Sequence, residues 1–243
     1  MREATTCLRP YRLRMPRPRR FICAGVPHHV TQRGNRRGQV FFEDADYLIY
    51  LHWLREYCIK YEIAILAYCL MTNHVHLVLV PDTKVALSRV LSSLHARLAR
   101  RVNRANEWTG HLWQARYFSS ALDERHFWAA IRYVERNPVR AAMVVRAEDY
   151  PWSSAAAHCG LGSNRVLSTH PYWDHQFAGI GDWSKWLAEA DDPVALQTLR
   201  DCANHNLPCG SDEFMEKLAA DTGQKLPRRS RGRPAKKDGK KDA

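Results

Sequence analysis

The stretch 70–81, L-M-T-N-H-V-H-L-V-L-V-P, constrains the fold of this chain more than any other. It lies in the most apolar short run of the sequence, residues 64–80, and centres on His74-Val75-His76. Strand side chains alternate between faces, so an extended His-x-His directs both imidazoles to one face and Val75 to the other. Two readings follow. The imidazoles form half of a metal site, or they are histidines hydrogen-bonded at a strand end. Further ligands elsewhere in the chain, and a use for a metal, would decide between them.

Around this run the hydrophobic pattern alternates between strand and helix. Residues 24–33 read as a first strand, followed by the turn G-N-R-R-G. Asp44–Lys60 carries Tyr47, Leu48, Leu51, Leu54, Tyr57 and Cys58 at helical spacing, with Asp44 as its expected N-cap. Residues 62–68 read as a strand that enters the His-Val-His strand either through a hairpin at M-T-N or as one bent strand. Residues 85–102 read as a second amphipathic helix, with Val85, Leu87, Val90, Leu91, Leu94 and Leu98 on one side. Residues 112–121 have the aromatic content of another strand. A third helix opens at Asp123-Glu124, has a core stripe of Phe127, Ile131 and Val134, and ends or kinks at Pro138. The order β-α-β-β-α-β-α suits an α+β, ferredoxin-like sandwich, an antiparallel sheet with two helices on one face.

This organisation gives a basic extension at 1–20, a main domain at 21–155, a small helical region at 156–222 and a low-complexity basic tail at 223–243, both ends expected to be disordered. Helices are expected at 183–190, 193–202 and 212–220. Seven cysteines without a C-x-x-C pair read as reduced thiols in the cytoplasm. Cys202, His205 and Cys209 supply three zinc-type ligands with no fourth in view. No apolar stretch reaches the roughly 20 residues of a membrane span.

A net charge of +12 calls for a polyanionic partner, because lysines and arginines release condensed counterions when they neutralise phosphates. Candidate phosphate-tracking residues are Arg33, Arg36 and Arg37 in the first turn, Arg97 and Arg101 on the second helix, and Arg116. R-G-R-P, with Arg231 and Arg233, resembles the core of an AT-hook that enters a minor groove. Trp108, Trp113, Tyr117 and Phe118 are candidates to stack bases, or belong to the core. On the third helix Tyr133 and Asn137 stand four residues apart and share a face, with Tyr133 away from the core stripe. By themselves they read equally as a sheet-edge tyrosine and a helix-ending Asn-Pro.

Four motifs in order, M-T-N-H-V-H-L-V-L-V-P, W-Q-A-R-Y, R-Y-V-E-R-N-P-V-R-A and Y-P-W-S-S, resemble those of the REP-associated tyrosine transposases, in the single-tyrosine branch of the HUH nucleases. The likeness runs from about residue 15 to 154. It implies that His74 and His76 are metal ligands, that Tyr133 is the nucleophile, and that Asn137 is a third ligand where some relatives carry Gln. The activity it implies is metal-dependent cleavage of single-stranded or hairpin repeat DNA through a 5′-phosphotyrosine, then strand transfer, with Mg²⁺ as cofactor and Mn²⁺ as a substitute in vitro. The expected setting is cytoplasmic and nucleoid-associated, away from membranes, as monomer or homodimer. Two other classes remain open: a domesticated DNA-binding protein without cleavage activity, and a phosphoesterase that uses water while Tyr133 is structural. Glu124 and Glu135 could serve as proton shuttles to Tyr133, though nothing in their spacing singles either out.

Overall fold

In the computed structural model, which describes residues 20–169 and 171–224, the long apolar run forms a hairpin. Strand β1 (His28–Arg33) leads to helix α1 (Asp44–Lys60), then β2 (Ile63–Met71) and β3 (His74–Pro81) pair across Thr72-Asn73. Helix α2 (Ala86–Ala105), β4 (Phe118–Ala121) and helix α3 (Glu124–Glu135) follow. The four strands are antiparallel in the order β2-β3-β1-β4, the ferredoxin-like arrangement expected from the sequence. Beyond α3 come the short helices α4 (Asn137–Arg140) and α5 (Ala155–His158), then α6 (Pro171–Ala178), α7 (Trp183–Ala188), α8 (Pro193–His205) and α9 (Asp212–Thr222). No helix among the described residues is long and apolar enough to cross a membrane.

Helices α1 and α2 cover one face of the sheet, packing Leu54, Leu87, Leu91 and Leu94 on Val30, Ile65, Leu70, Val75, Leu77 and Leu79. The opposite face is covered as well. There α3, with Phe127, Ile131 and Val134, joins Trp183, Leu187, Leu199 and Cys202 from the later helices over Leu66, Cys69, Met71, Val78 and Val80. This second layer explains why β2, I-A-I-L-A-Y-C-L-M, is apolar without alternation. A register shift between Ile65 and Ala67 resets which residues face which layer.

Several local expectations are corrected. Residues 24–27 turn instead of extending, with Gly25 at φ +70° and its N–H donating to the Pro81 carbonyl at 2.9 Å. The N-cap of α1 is Glu43, not Asp44, because Asp46 reaches back to the Glu43 N–H in a capping box. Residues 112–117 leave the ladder: the Gln114 N–H donates to Arg33 O and the Trp113 indole to His95 O, both at 2.9 Å, so that only Phe118–Ala121 is strand. The described cysteines are free thiols, and His205 Nδ1 lies 2.8 Å from the Asp201 carbonyl. The extension at 1–19 and the tail from 225, with Arg231 and Arg233, lie outside the described residues.

Two buried polar groups tie elements together within the layers. His95 of α2 has its Nε2 3.1 Å from the Tyr50 hydroxyl of α1. At the C-terminal end of α3, the Glu135 carboxyl is fully buried and accepts from Ser154 Oγ at 2.5 Å and Trp183 Nε1 at 2.9 Å, with His158 Nδ1 at 2.6 Å.

Desolvation presses the pKa of His95 from 6.5 down to about 3. Below pH 6.5 the unfolded chain therefore takes up a proton that the folded chain refuses. Stability is lost as pH falls from 6.5 towards 3, at a limiting slope of about 1.4 kcal/mol per pH unit for this one group. Urea unfolding between pH 7 and 4 is expected to show this loss, and His95→Gln to flatten it by about one proton. For Glu135→Ala, which strands three donors in the interior, a cost of about 3–5 kcal/mol is expected, against about 1 kcal/mol for Ser154→Ala. Urea midpoints at pH 7 check both.

Candidate functional site

The register of β1 against β3 builds the site. Thr31 lies opposite His76 and Arg33 opposite His74, so residues 29, 31, 33, 74 and 76 share one sheet face by strand alternation. That is the face covered by α3. Tyr133, in its last turn, comes down with its ring edge-on to His76, centroids 5.4 Å apart, and to His29 at 5.7 Å. His29, His74, His76 and Tyr133 then line one cleft, bordered by Thr31, Gln32, Arg33, Arg37, Gln114, Phe118, Arg200, Ala203 and Asn204.

Each histidine is oriented by its neighbours. His74 Nδ1 lies 2.6 Å from Asn73 Oδ1, and Asn73 in turn donates its amide N–H to Arg37 O at 2.9 Å. His76 Nδ1 lies 3.0 Å from His29 Nε2, and the two rings are nearly parallel. Neither Nε2, of His74 or of His76, has a hydrogen-bond partner among the described residues. Desolvation, with Arg33 adding, holds His74 down to about 4. The same effect, with the neighbouring His74, His29 and Arg140, holds His76 well below 6.5. Both rings are therefore neutral at neutral pH, with lone pairs available, the form a metal requires.

Asn137 is buried in the first turn of α4, one turn beyond Tyr133, and its Nδ2 has no partner. It does not line the cleft. No three His, Cys, Asp or Glu side chains among the described residues are arranged to hold a metal. The donors the cleft itself offers an ion are the two partner-free imidazole nitrogens of His74 and His76, so any further ligand would be an amide or a substrate oxygen.

The nucleophile candidate is surrounded by arginines. The Arg140 guanidinium lies over the Tyr133 ring, 4.2 Å from its centroid, and donates to the Tyr133 carbonyl at 2.5 Å. Arg132, Arg136 and Arg140, four residues apart along α3 and α4, converge on Asp191 at 3.5, 3.2 and 3.7 Å. Glu135 is sealed in its network and Glu124 stands nine residues earlier, about 13 Å along the helix axis. Neither expected proton shuttle reaches Tyr133.

Among the predicted DNA-contacting arginines, Arg33 and Arg37 line the cleft and Arg36 is exposed beside them at φ +53°. Their loop is tight: a Cβ on Gly34 would lie 2.1 Å from the Gly38 carbonyl oxygen. Arg116 borders a second groove with Arg100, Arg104 and His111, and Gln114 lines both hollows. Arg97 and Arg101 lie across the sheet, Arg97 over the Trp53 ring and paired with Glu56, Arg101 paired with Asp46 and Glu43. Of the aromatic candidates, Phe118 lines the cleft and Trp108 is half exposed, whereas Tyr117 is buried under Arg20 and Trp113 packs on His95. Two titratable cleft residues escaped the sequence reading. His29 carried a signal in its period-two relation to Thr31 and Arg33; Arg200 carried none.

Residues 24–137 match the family model described as Transposase IS200 like. No curated protein matches the chain. Among solved structures, a REP-associated tyrosine transposase bound to a REP hairpin aligns with 64% of this chain and 92% of its own, at 20% identity and a TM-score of 0.48. A transposase-like protein from Deinococcus radiodurans R1 aligns with 50% of this chain and 97% of its own, at 22% identity and a TM-score of 0.35. The segment that matches this family model, residues 24–137, holds His74, His76, Tyr133 and Asn137.

Proposed function

We propose that this protein is a metal-dependent single-strand DNA endonuclease and strand transferase that cuts hairpin-forming repeat DNA with Tyr133 as nucleophile. The observation that carries this reading is the Tyr133 ring edge-on to His76, in one cleft with two partner-free imidazole nitrogens. A protein that only binds hairpins has no need of that convergence, and a hydrolase acting through water has no need of a tyrosine there. The substrate class comes from the motif resemblance, and the net charge of +12 suits it.

His74 and His76 would hold the ion through Nε2, with Asn137 the candidate third ligand; Mg²⁺ is the implied ion, and imidazole donors favour Mn²⁺. When bound, it would orient the phosphate oxygens and offset charge developing during displacement. Asn73 and His29 hold the two rings in place. Arg33 and Arg37 border the His74 side of the cleft and track the strand as it enters. Tyr133 attacks phosphorus, the bond to O3′ breaks, and the tyrosine proton leaves as the departing oxygen becomes a 3′-hydroxyl. One phosphodiester replaces another, so a later 3′-hydroxyl can reverse the step and join strands without an external energy source.

The test is incubation of single-stranded hairpin oligonucleotides, from repeats flanking the gene, with protein and Mg²⁺ or Mn²⁺ on a denaturing gel. Wild type is expected to give a slow-migrating covalent adduct, Tyr133→Phe none, and His74→Ala or His76→Ala at least a hundredfold less. Asn137→Ala is expected to weaken Mn²⁺ binding by roughly tenfold, read by calorimetry. Equal cleavage by wild type and Tyr133→Phe would remove the tyrosine from the reaction. Tight hairpin binding without cleavage by either would leave a DNA-binding protein.

A further inference from the structure

The guanidiniums around Tyr133 are not equivalent. Arg132, Arg136 and Arg140 are committed: all three converge on Asp191, Arg132 and Arg136 also donate to the Glu189 carbonyl, and Arg140 donates to the Tyr133 carbonyl. Arg200 is different. It lines the cleft, its guanidinium lies 5.9 Å from the Tyr133 ring centroid, and it has no hydrogen bond or ion pair among the described residues. Its helix is nonetheless fixed. Leu199, Cys202 and Ala203 bury one side of α8, and Asn206, just past the helix, accepts the Ser119 N–H of β4 at 3.0 Å. A fixed element thus presents a guanidinium without hydrogen-bond or ion-pair partner to Tyr133, in the cleft that Arg33 and Arg37 also line.

Building on the tyrosine-nuclease reading, we propose that Arg200 is a catalytic residue that binds the scissile phosphate. The fork matches two non-bridging phosphate oxygens in a bidentate pair. Both the DNA phosphodiester and the tyrosyl phosphodiester carry one negative charge. In the transition state, while the bond from Tyr133 Oη to phosphorus forms and the bond to O3′ breaks, additional negative charge accumulates on the oxygens. A guanidinium held there strengthens its interaction as that charge grows, which lowers the barrier instead of merely tightening binding. The same contact steadies the covalent intermediate until a 3′-hydroxyl attacks. α8 lies outside the segment that matches the transposase family, so this chain completes its cleft with a residue from its C-terminal region.

The experiment compares wild type, Arg200→Ala and Arg200→Lys in single-turnover adduct formation on the hairpin oligonucleotide, and then on the same oligonucleotide carrying a neutral methylphosphonate at the mapped cleavage position. On the phosphodiester, Arg200→Ala is expected to slow adduct formation by about a hundredfold and Arg200→Lys to recover part of it, with unchanged melting temperatures, since the side chain has no partner to lose. On the methylphosphonate, wild type and Arg200→Ala are expected to agree within about threefold, because the charge that Arg200 answers is gone. A wild-type adduct with Arg200→Ala equally fast would overturn the assignment of Arg200 and leave the nuclease reading standing. So would an equal loss on both substrates, which would mark a role unrelated to phosphate charge. Absence of any wild-type adduct would overturn the nuclease reading, and this assignment with it.

Discussion

The antiparallel pairing of β1 with β3 is the constraint on which the site depends. Thr31 opposite His76 and Arg33 opposite His74 put the two candidate metal ligands, an orienting histidine and a cleft-lining arginine on one pleated face. A slip of one residue would move His29 and Arg33 to the face under α1 and α2, where the layer is apolar and sealed. The register is therefore held by burial on both faces: Val75, Leu77 and Leu79 into one layer, Val78 and Val80 into the other. The geometry of the cleft and the core are specified by the same alternation.

The second layer has its own logic. A strand pair that is apolar on both sides must be covered on both sides, and α3 alone is too short to cover β2 and β3. The helices after residue 155 complete the layer with Trp183, Leu187 and Leu199. What began as a need for burial brings the loop at Glu189–Asp192 and helix α8 against the tyrosine helix, so the C-terminal region shapes the cleft although the transposase family match stops at residue 137.

How much of this could be read in the sequence follows from the range of each interaction. The bounds of α1 and the sharing of a face by His74 and His76 rest on local periodicity and emerge directly from the residues, whereas M-T-N read as either a hairpin turn or a bend, and only the pairing of β2 with β3 decides. The resemblance of four motifs added Tyr133, a reading the residues alone left open. The N-cap of α1 turned on whether Asp46 folds back onto Glu43, which two adjacent acidic residues leave ambiguous. Arg97 and Arg101 looked like phosphate contacts because their helix is basic, yet their partners Glu56, Glu43 and Asp46 come from a different helix, and only packing of α1 on α2 reveals the pairing. His29 and Arg200 needed more still: a strand register and a docking of α8 that no local pattern encodes.

The way Tyr133 is held bears on how it can act. Exposed ion pairs contribute little, commonly under about 1 kcal/mol each, and by themselves would leave the last turn of α3 free to fray. Here the turn is fixed on two sides. Glu135, two residues on, is buried in a three-donor network with Ser154, His158 and Trp183, and Arg132, Arg136 and Arg140 enclose an Asp191 side chain that is only 13% exposed. Such networks are costly to break because each partner left behind would be an unpaired buried polar group. The ring is thus positioned against His76 of its own chain before any substrate arrives, so that, on the proposed reading, the entropy of aligning the tyrosine is met at folding instead of at the reaction step. The side chains left without partners in the cleft, the two imidazole nitrogens and the Arg200 fork, are the ones that DNA and a metal ion would satisfy.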